Sequence, residues 1–271
     1  MNYNHILKLQ DDMVVAYADI IGFSNAVLHN EYTTEETEGF NINLKIIYDS
    51  ILCKYSKEYQ DDKGIKFIWI SDSIFITSSI EQINQLLEEL DYLTNQLYCA
   101  HFALRGGIAL GKLHFENNLW GPAVINAVTY EKQAKYPCIV ITKSDFERLT
   151  INEDRRRFFI PLRWNDFMYY NYFASFLGRC IKNNQNINSY LSVYTAVIES
   201  SYNGCVQKEH KDKWAFLADQ LATAIMTYSS NIAEEYKNAL KKGDRSKKRF
   251  LSVEQYLDRM KTVRAFIGGH N

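Results

Sequence analysis

Features that mark a membrane-spanning, secreted or nucleic-acid-binding protein are missing from this sequence. The 271 residues contain no apolar run near the roughly 20 residues that span a bilayer, and the first residues lack the apolar core of a secretory signal. The formal net charge is −1, which predicts no basic surface for nucleic acid. We therefore expect a cytoplasmic protein that binds neither membranes nor nucleic acid.

Cysteine and histidine are too scattered to predict a disulfide framework or a zinc site. The five cysteines include no C-x-x-C pair, and the six histidines include no H-x-x-x-H spacing. We expect reduced thiols and no structural zinc.

Hydrophobic residues make up 46% of the chain, enough for a full core. Their periodicity predicts an α+β domain with a sheet of ferredoxin-like type and helices on one face. We predict a catalytic domain over residues 1–175 and a helical extension over 176–271. The predicted strands are 13–19, a hairpin over 66–77, 103–110, 112–116 and 138–142. The predicted helices are 22–29, 40–58, 80–99, 121–134, 187–200, 208–232, 233–242 and 253–267.

Three segments concentrate polar residues on apolar strands: YADIIGFSNAV, WISDSIFIT and LRGGIALGKLHFENNLWGPAVINAV. They contain Asp19, Asp72 and Arg105. Two carboxylates and an arginine on neighbouring strands can hold divalent ions and a triphosphate. The alternatives are that Asp19 caps a helix, that Asp72 is a turn residue, and that Arg105 pairs with a structural carboxylate.

These segments, in this order, resemble the class III nucleotidyl cyclases over roughly residues 12–175. The sequence motifs SDSI, RGGI, GPAVINA and KYPCIVI are most similar to those of the pyrimidine (uridylate or cytidylate) cyclases of bacterial anti-phage systems. The resemblance implies conversion of UTP or CTP to the 3′,5′-cyclic mononucleotide and diphosphate. That product would act as a second messenger, read by a separate cyclic-nucleotide-binding effector.

The resemblance also implies a metal site. Asp19, the backbone carbonyl of Ile20, and Asp72 would hold two Mn²⁺ or Mg²⁺ ions. Carboxylate and carbonyl oxygens are the ligands that these ions prefer.

The expected phosphate-binding residues follow the first strand. Backbone N–H groups at the start of a helix can receive phosphate oxygens, so we expect this role for Ile21, Gly22, Phe23 and Ser24, although Phe23 can equally be a core residue. The resemblance assigns the β- and γ-phosphates to Arg105.

The resemblance assigns Lys66 and Asn118 to the base and Asn126 to the ribose. Purine cyclases carry a transition-state arginine about three residues after the ribose asparagine, where this chain has Thr129 and Tyr130. That difference favours the pyrimidine subfamily and leaves the transition-state group open, with Lys132 and the run Arg155–Arg157 as candidates.

Class III sites are assembled between two subunits, so the resemblance implies a symmetric homodimer. The alternatives are a purine cyclase making cAMP or cGMP, a catalytically degenerate nucleotide sensor, and a polymerase-like palm domain. Lys66 weakly favours the purine cyclase. The Trp120-Gly121 segment argues against the palm domain.

Overall fold

The computed structural model describes residues 9–23, 48–115, 118–241 and 251–264. It divides into two compact units. The first contains the described residues up to Leu93 together with Phe102–Tyr170, and the second contains Thr94–His101 together with the described residues from Asn171 onward. The predicted boundary between residues 175 and 176 separates a catalytic domain from a helical extension. Compactness alone does not test which residues are needed for catalysis, so this boundary stays a prediction.

The first unit is built on a mixed sheet, which has eight strands within the described residues. The spatial order is β2-β3-β1-β4-β6-β8-β7, and β5 pairs with β4. The strands are β1 Gln10–Ile21, β2 Ile65–Ile70, β3 Ser73–Ser79, β4 Ala103–Phe115, β5 Leu119–Trp120, β6 Ile139–Thr142, β7 Phe159–Pro161 and β8 Phe167–Tyr170.

Helices lie between these strands in the sequence. Residues 48–54 are helical, and a 3₁₀ turn over Ile80–Gln82 precedes the long second helix. The helices of this part of the chain are α1 Lys57–Lys63, α2 Ile83–Cys99, α3 Pro122–Glu131, α4 Lys143–Arg148 and α5 Glu153–Arg156. The α2 helix begins in the first unit and ends in the second.

The first four strands confirm the predicted ferredoxin-like α+β fold. Helical residues precede β2, and α2 connects β3 to β4, which gives the order β-α-β-β-α-β. The central strand β1 pairs antiparallel with both β3 and β4. Both of its faces are covered, with Val14, Val15 and Ala16 at most 1% exposed, which explains why it reads as a continuous apolar run.

The predicted break between strands 103–110 and 112–116 is wrong, because β4 runs continuously through Gly111. The β1 strand pairs on both sides of that glycine, with Met13 opposite Gly111 and Gln10 opposite Leu113. The extra residue is absorbed by a bulge in β1, where Asp12 has a φ of 53°. Pairing to β1 therefore overrides the turn signal of the glycine.

Two other segments differ from the prediction. The predicted helix over 40–58 is interrupted, since Ser56 caps a new helix by accepting a hydrogen bond from the Tyr59 N–H. The strands β5, β7 and β8, of two to four residues each, were not predicted, whereas β6, also of four residues, was found because it is an apolar run directly after Pro137. The predicted helix over 22–29 lies almost entirely outside the described residues.

The second unit is helical, as predicted for the C-terminal part. Its helices after α2 are α6 Tyr172–Lys182, α7 Ile187–Gly204, α8 Lys208–Thr227, α9 Ser229–Lys241 and α10 Val253–Arg264. Tyr98 lies at the centre of its aromatic core, with ring centroids 5.2 Å from Phe173 and 5.4 Å from Tyr194. Within the described ranges, no helix is long and apolar enough to cross a membrane.

Candidate active site

Asp19 lies near the end of β1, where three strands meet. It is directly opposite Arg105 on β4 and Ser73 on β3. Its side chain is 25% exposed, in contrast to the buried neighbours Ala18 and Ile20. The central strand therefore carries one accessible carboxylate near its C-terminal end.

Asp72 lies in the tight turn between β2 and β3, adjacent to Ser73. The Ile20 N–H donates to the Asp72 carbonyl oxygen at 2.8 Å, so the turn is tied to β1 one residue after Asp19. The Trp69 indole N–H donates to the Ser71 carbonyl oxygen at 2.7 Å, and Ser71 has a φ of 56°. These bonds fix the turn and bring the backbones of the two aspartates together.

Arg105 is placed between two carboxylates. Its Nη2 atom is 3.8 Å from Asp19 Oδ2, and its Nε atom is in direct contact with Glu131 Oε1. The Glu131 side chain is only 7% exposed, whereas that of Arg105 is 33% exposed. The sequence allowed either a structural carboxylate or substrate phosphates as the partner of Arg105, and Glu131 is such a structural carboxylate.

The α3 helix brings Glu131 to Arg105. Its buried residues are Ala123, Ala127 and Glu131, which are spaced by four and share one face. Gly107 permits the close approach, since a Cβ there would lie 2.3 Å from the Ala127 carbonyl oxygen. Sequence reasoning missed Glu131, although its spacing from the two alanines was a usable signal.

Tyr17 is a second site residue that the sequence reasoning missed. Its hydroxyl lies 3.2 Å from Ser73 Oγ. Burial is the largest cause of the raised pKa of this hydroxyl, while the hydrogen bond to Ser73 lowers the pKa. The negative charges nearby raise the pKa further, and they come from Asp19, Glu131 and Asp72. The phenol therefore stays neutral beside a group of carboxylates.

The predicted phosphate-binding segment is described in part. Ile21 ends β1, and Gly22 has a φ of 85°. This left-handed backbone conformation favours glycine. The Phe23 ring lies 6.3 Å from that of Phe102, in keeping with the core alternative, and Ser24 lies outside the described residues.

Lys66 is not brought to the aspartates of its own chain. It pairs with Thr77 on β3, which lies opposite Val15 on β1. Val15 is four residues from Asp19, or about 13 Å along a strand. The Lys66 ammonium forms an exposed ion pair with Asp61 at 2.6 Å.

The other two predicted nucleoside contacts lie on either side of a Trp-Gly turn. Asn118 is exposed just before β5, and Asn126 is half-buried on α3. Trp120 is 39% exposed, and its ring lies 5.0 Å from the His114 ring. It is therefore a partly exposed aromatic residue and not a buried anchor of the turn.

The candidate transition-state cations make structural contacts. Arg155 is 12% exposed and lies 3.1 Å from Glu88 and 3.6 Å from the buried Asp91. Arg156 pairs with Glu147 at 2.8 Å. The first two arginines of the run thus have structural partners.

Side chains alone supply only part of the metal site that the sequence predicts. Within the part of the chain that the structure describes, no group of three or more His, Cys, Asp or Glu residues could hold a metal ion. Asp19 and Asp72 fit an ion that takes its remaining oxygen ligands from backbone, water and phosphate, as Mg²⁺ and Mn²⁺ do. The donors fit such an ion only when substrate completes the shell.

Comparisons with known proteins give distant structural similarity alone. No family model matches the sequence, and no curated protein matches it. The solved structures similar to this chain include that of the adenylyl cyclase CyaB from P. aeruginosa, at 15% identity and a TM-score of 0.36, covering 60% of this chain and 96% of that one.

Two structures of a bacterial light-regulated adenylyl cyclase are similar at 15% and 16% identity, with TM-scores of 0.36 and 0.32. The matches cover 62% and 60% of this chain, but only 54% and 52% of those chains. This chain thus spans about half the length of the light-regulated cyclases.

Proposed function

We propose that this protein is a nucleotidyl cyclase that converts UTP or CTP to the 3′,5′-cyclic mononucleotide and diphosphate. One observation carries the proposal. Asp19 is in register with Arg105, and the turn bearing Asp72 is hydrogen-bonded to the residue after Asp19. The residues that carry two carboxylates and a cation thus lie together at one end of the central strands.

The reaction explains why that set is suitable. The 3′-oxygen of the ribose attacks the α-phosphorus as the 3′-hydroxyl releases its proton to solvent. The bond breaks between the α-phosphorus and the oxygen that bridges it to the β-phosphorus. Diphosphate leaves with that electron pair. The protein must hold the triphosphate in line and offset the negative charge that accumulates on it.

Asp19, Asp72 and the Ile20 carbonyl would hold the divalent ions, which supply charge neutralisation and a more acidic 3′-hydroxyl. The Ile20 N–H to Asp72 hydrogen bond keeps these ligands in one place before substrate arrives. The neutral Tyr17 hydroxyl, bonded to Ser73, adds no further negative charge to this edge.

Arg105 would bind the β- and γ-phosphates. A planar guanidinium presents five N–H donors, so contact with Glu131 through Nε leaves the Nη groups for phosphate oxygens. The positive φ of Gly22 supports a turn after β1 at which backbone N–H groups can also receive phosphate.

The choice of a pyrimidine substrate rests on the motif wording and on residues 129 and 130. Thr129 bonds to the Ile125 carbonyl oxygen within its own helix, and the Tyr130 hydroxyl bonds to Asp145 at 3.1 Å. Neither residue supplies the cation that purine cyclases place near this position. Asn118 is exposed and can both donate to and accept from a base edge.

We propose that the site is completed in a homodimer. Two large apolar side chains flank the candidate residues in sequence and are exposed, Ile70 at 64% and Ile125 at 66%. Ile70 precedes the Asp72 turn, and Ile125 precedes Asn126. Apolar surface at these two points supports a partner subunit that contributes its nucleoside contacts to the site.

In the cell, we propose that the cyclic pyrimidine nucleotide serves as a second messenger in anti-phage defence, read by a separate effector. The support is the motif wording SDSI, RGGI, GPAVINA and KYPCIVI. A catalytically silent nucleotide sensor is the second candidate, and the observation favouring it is that Arg105 already contacts a structural carboxylate.

The experiment that tests this function incubates the purified protein with each of the four ribonucleoside triphosphates and Mn²⁺, and separates the products by chromatography. We expect a cyclic mononucleotide from UTP or CTP. A cyclic purine product would support the purine cyclase. Nucleotide binding without any product would support the sensor, and neither binding nor product would contradict the proposal.

A further inference from the structure

The contact between Glu131 and Arg105 is the least expected feature of the candidate site. A carboxylate beside a binding site for a polyphosphate repels the ligand, and at this depth it also loses hydration. Glu131 is buried, and its contact with Arg105 Nε provides the compensating cation. Such a residue needs a role that outweighs its unfavourable charge.

The two ends of the Arg105 guanidinium are held differently. Nε is in direct contact with Glu131, but Nη2 is 3.8 Å from Asp19 Oδ2, which exceeds hydrogen-bond length. The inner edge of the guanidinium is therefore fixed, while its outer groups lie loosely beside the proposed metal ligand. Those outer groups can exchange Asp19 for another anion without loss of the inner contact.

Glu131 lies where α3 packs closely against β4. It ends the buried face of α3, and that helix lies directly on β4 because Gly107 has no side chain. A Cβ on Gly107 would lie 2.7 Å from Tyr130 Cβ and 3.0 Å from the Glu131 backbone nitrogen. Residues two apart on β4 thus provide the arginine and the space for the helix that orients it.

We propose that Glu131 is a positioning residue for Arg105, and that Arg105 Nη2 exchanges Asp19 for polyphosphate when substrate binds. This inference rests on the proposed function, since it takes a nucleoside triphosphate as the ligand. Glu131 holds Nε, so the guanidinium keeps its plane and its free edge points toward the Asp19 side of the site. The exchange removes the Arg105 contact from Asp19 when the phosphates arrive.

Two substitutions separate positioning from charge. Glu131→Gln and Glu131→Leu both remove one negative charge, but only glutamine keeps an oxygen where it can contact Arg105 Nε. If charge alone mattered, both variants would bind polyphosphate more tightly and equally. If positioning matters, glutamine keeps the wild-type affinity within about threefold and leucine lowers it by about tenfold or more.

The measurement is calorimetric titration of inorganic tripolyphosphate into the protein without divalent ions, so that no turnover is involved. Glu147→Gln is the matched control, because Glu147 is 70% exposed and pairs with Arg156. Arg105→Lys is a second test that leaves the carboxylate in place. A lysine keeps the charge but cannot contact Glu131 and phosphate together, so we expect a loss similar to that of Glu131→Leu.

Equal affinities of Glu131→Gln and Glu131→Leu, or wild-type affinity in Arg105→Lys, would overturn the positioning role. If leucine does not fold at position 131, the lysine variant decides the question alone. Polyphosphate binding with this pattern but no cyclic product would overturn the proposed function and leave the positioning role supported. Absence of tripolyphosphate binding to the wild-type protein would overturn the exchange at Arg105, whereas the proposed function would still be decided by product formation with Mn²⁺.

Discussion

Arg105 has the densest set of charged contacts in the candidate site, with Glu131 on one side and Asp19 on the other. Because Glu131 is buried, the arginine contributes to folding as well as to the proposed binding of phosphate. A single substitution at Arg105 therefore changes two properties together, and a paired design is needed to separate them.

We expect Arg105→Ala to weaken triphosphate binding and also to lower the free energy of unfolding by about 3–5 kcal/mol, because Glu131 loses its partner. The double variant Arg105→Ala/Glu131→Gln removes the buried charge, so it should recover much of that stability without recovering binding. Urea denaturation and titration with a non-cyclisable triphosphate measure the two effects. Recovery of binding in the double variant would contradict a phosphate role for Arg105.

Residue type and local contrast made part of the site predictable from the sequence. Asp19 and Arg105 are conspicuous because each interrupts an apolar strand, and Asp72 because it lies in a tight turn between two such strands. Tyr17 and Glu131 were missed, since a tyrosine on a strand and a glutamate at a helix end are ordinary in isolation. Their importance comes from contacts across the sheet, and only the Ala123, Ala127 and Glu131 spacing hinted at one of them.

At the scale of elements, the packing of α3 on β4 depends on Gly107. We expect Gly107→Ala to lower the free energy of unfolding by about 1–3 kcal/mol and to reduce activity, because the added Cβ meets backbone atoms and displaces Glu131. Gly204→Ala is the matched control, since a Cβ there meets no atom of the described residues within 4 Å. Thermal denaturation and product formation measure both effects, and equal behaviour of the two variants would contradict this account.

A second element contact joins the helical residues before β2 to α2. The Glu89 carboxylate accepts hydrogen bonds from Lys54 at 2.6 Å and from the hydroxyls of Tyr55 and Tyr59, each at 2.7 Å. Burial alone would raise the pKa of Glu89, but these donors together lower it below its ordinary value. The carboxylate therefore stabilises the folded protein in its charged form.

The sign of the resulting pH effect follows. A lowered folded-state pKa gives stability that is present above the unfolded-state pKa of about 4.3 and is lost as the pH falls through the folded-state value. We expect Glu89→Gln to cost about 2 kcal/mol at pH 7 and less at pH 3. Urea denaturation at the two pH values measures this difference. An equal cost at both would show that the charge of Glu89 is not the stabilising feature.

Predictability of the elements depended on their length. The hairpin with Asp72 at its tip and the 17-residue helix α2 were found because each carries a full hydrophobic period. The continuity of β4 through Gly111 was not, because it is imposed by pairing with β1. The strands β5, β7 and β8 have only two to four residues each and are defined by pairing with their neighbours in the sheet.

For the whole molecule, we propose that two copies of the chain share each site. If Asp72 of one subunit faces Asn126 of the other, Asp72→Asn and Asn126→Ala homodimers are each defective, but a mixed dimer contains one intact site. With random exchange, half of the dimers are mixed and half of their sites are intact, so roughly a quarter of wild-type activity should return.

Mixing the two purified variants and following product formation measures this recovery. Subunit exchange is first verified with differently tagged copies, and Asn126→Ala alone must be defective. Given both conditions, the absence of recovery would place the whole site within one chain.

The reaction can be tested directly by following the phosphorus atoms of the substrate. We predict that ³¹P spectra of wild-type protein with UTP or CTP and Mg²⁺ show a cyclic phosphodiester and diphosphate appearing in equal amounts. Asp19→Asn and Asp72→Asn should keep their folded structure and slow this reaction by about a thousandfold or more. Asp62→Asn, at an exposed position, should leave the rate unchanged. Near-normal turnover in either site variant, or a linear monophosphate as the product, would contradict a cyclase site built on Asp19 and Asp72.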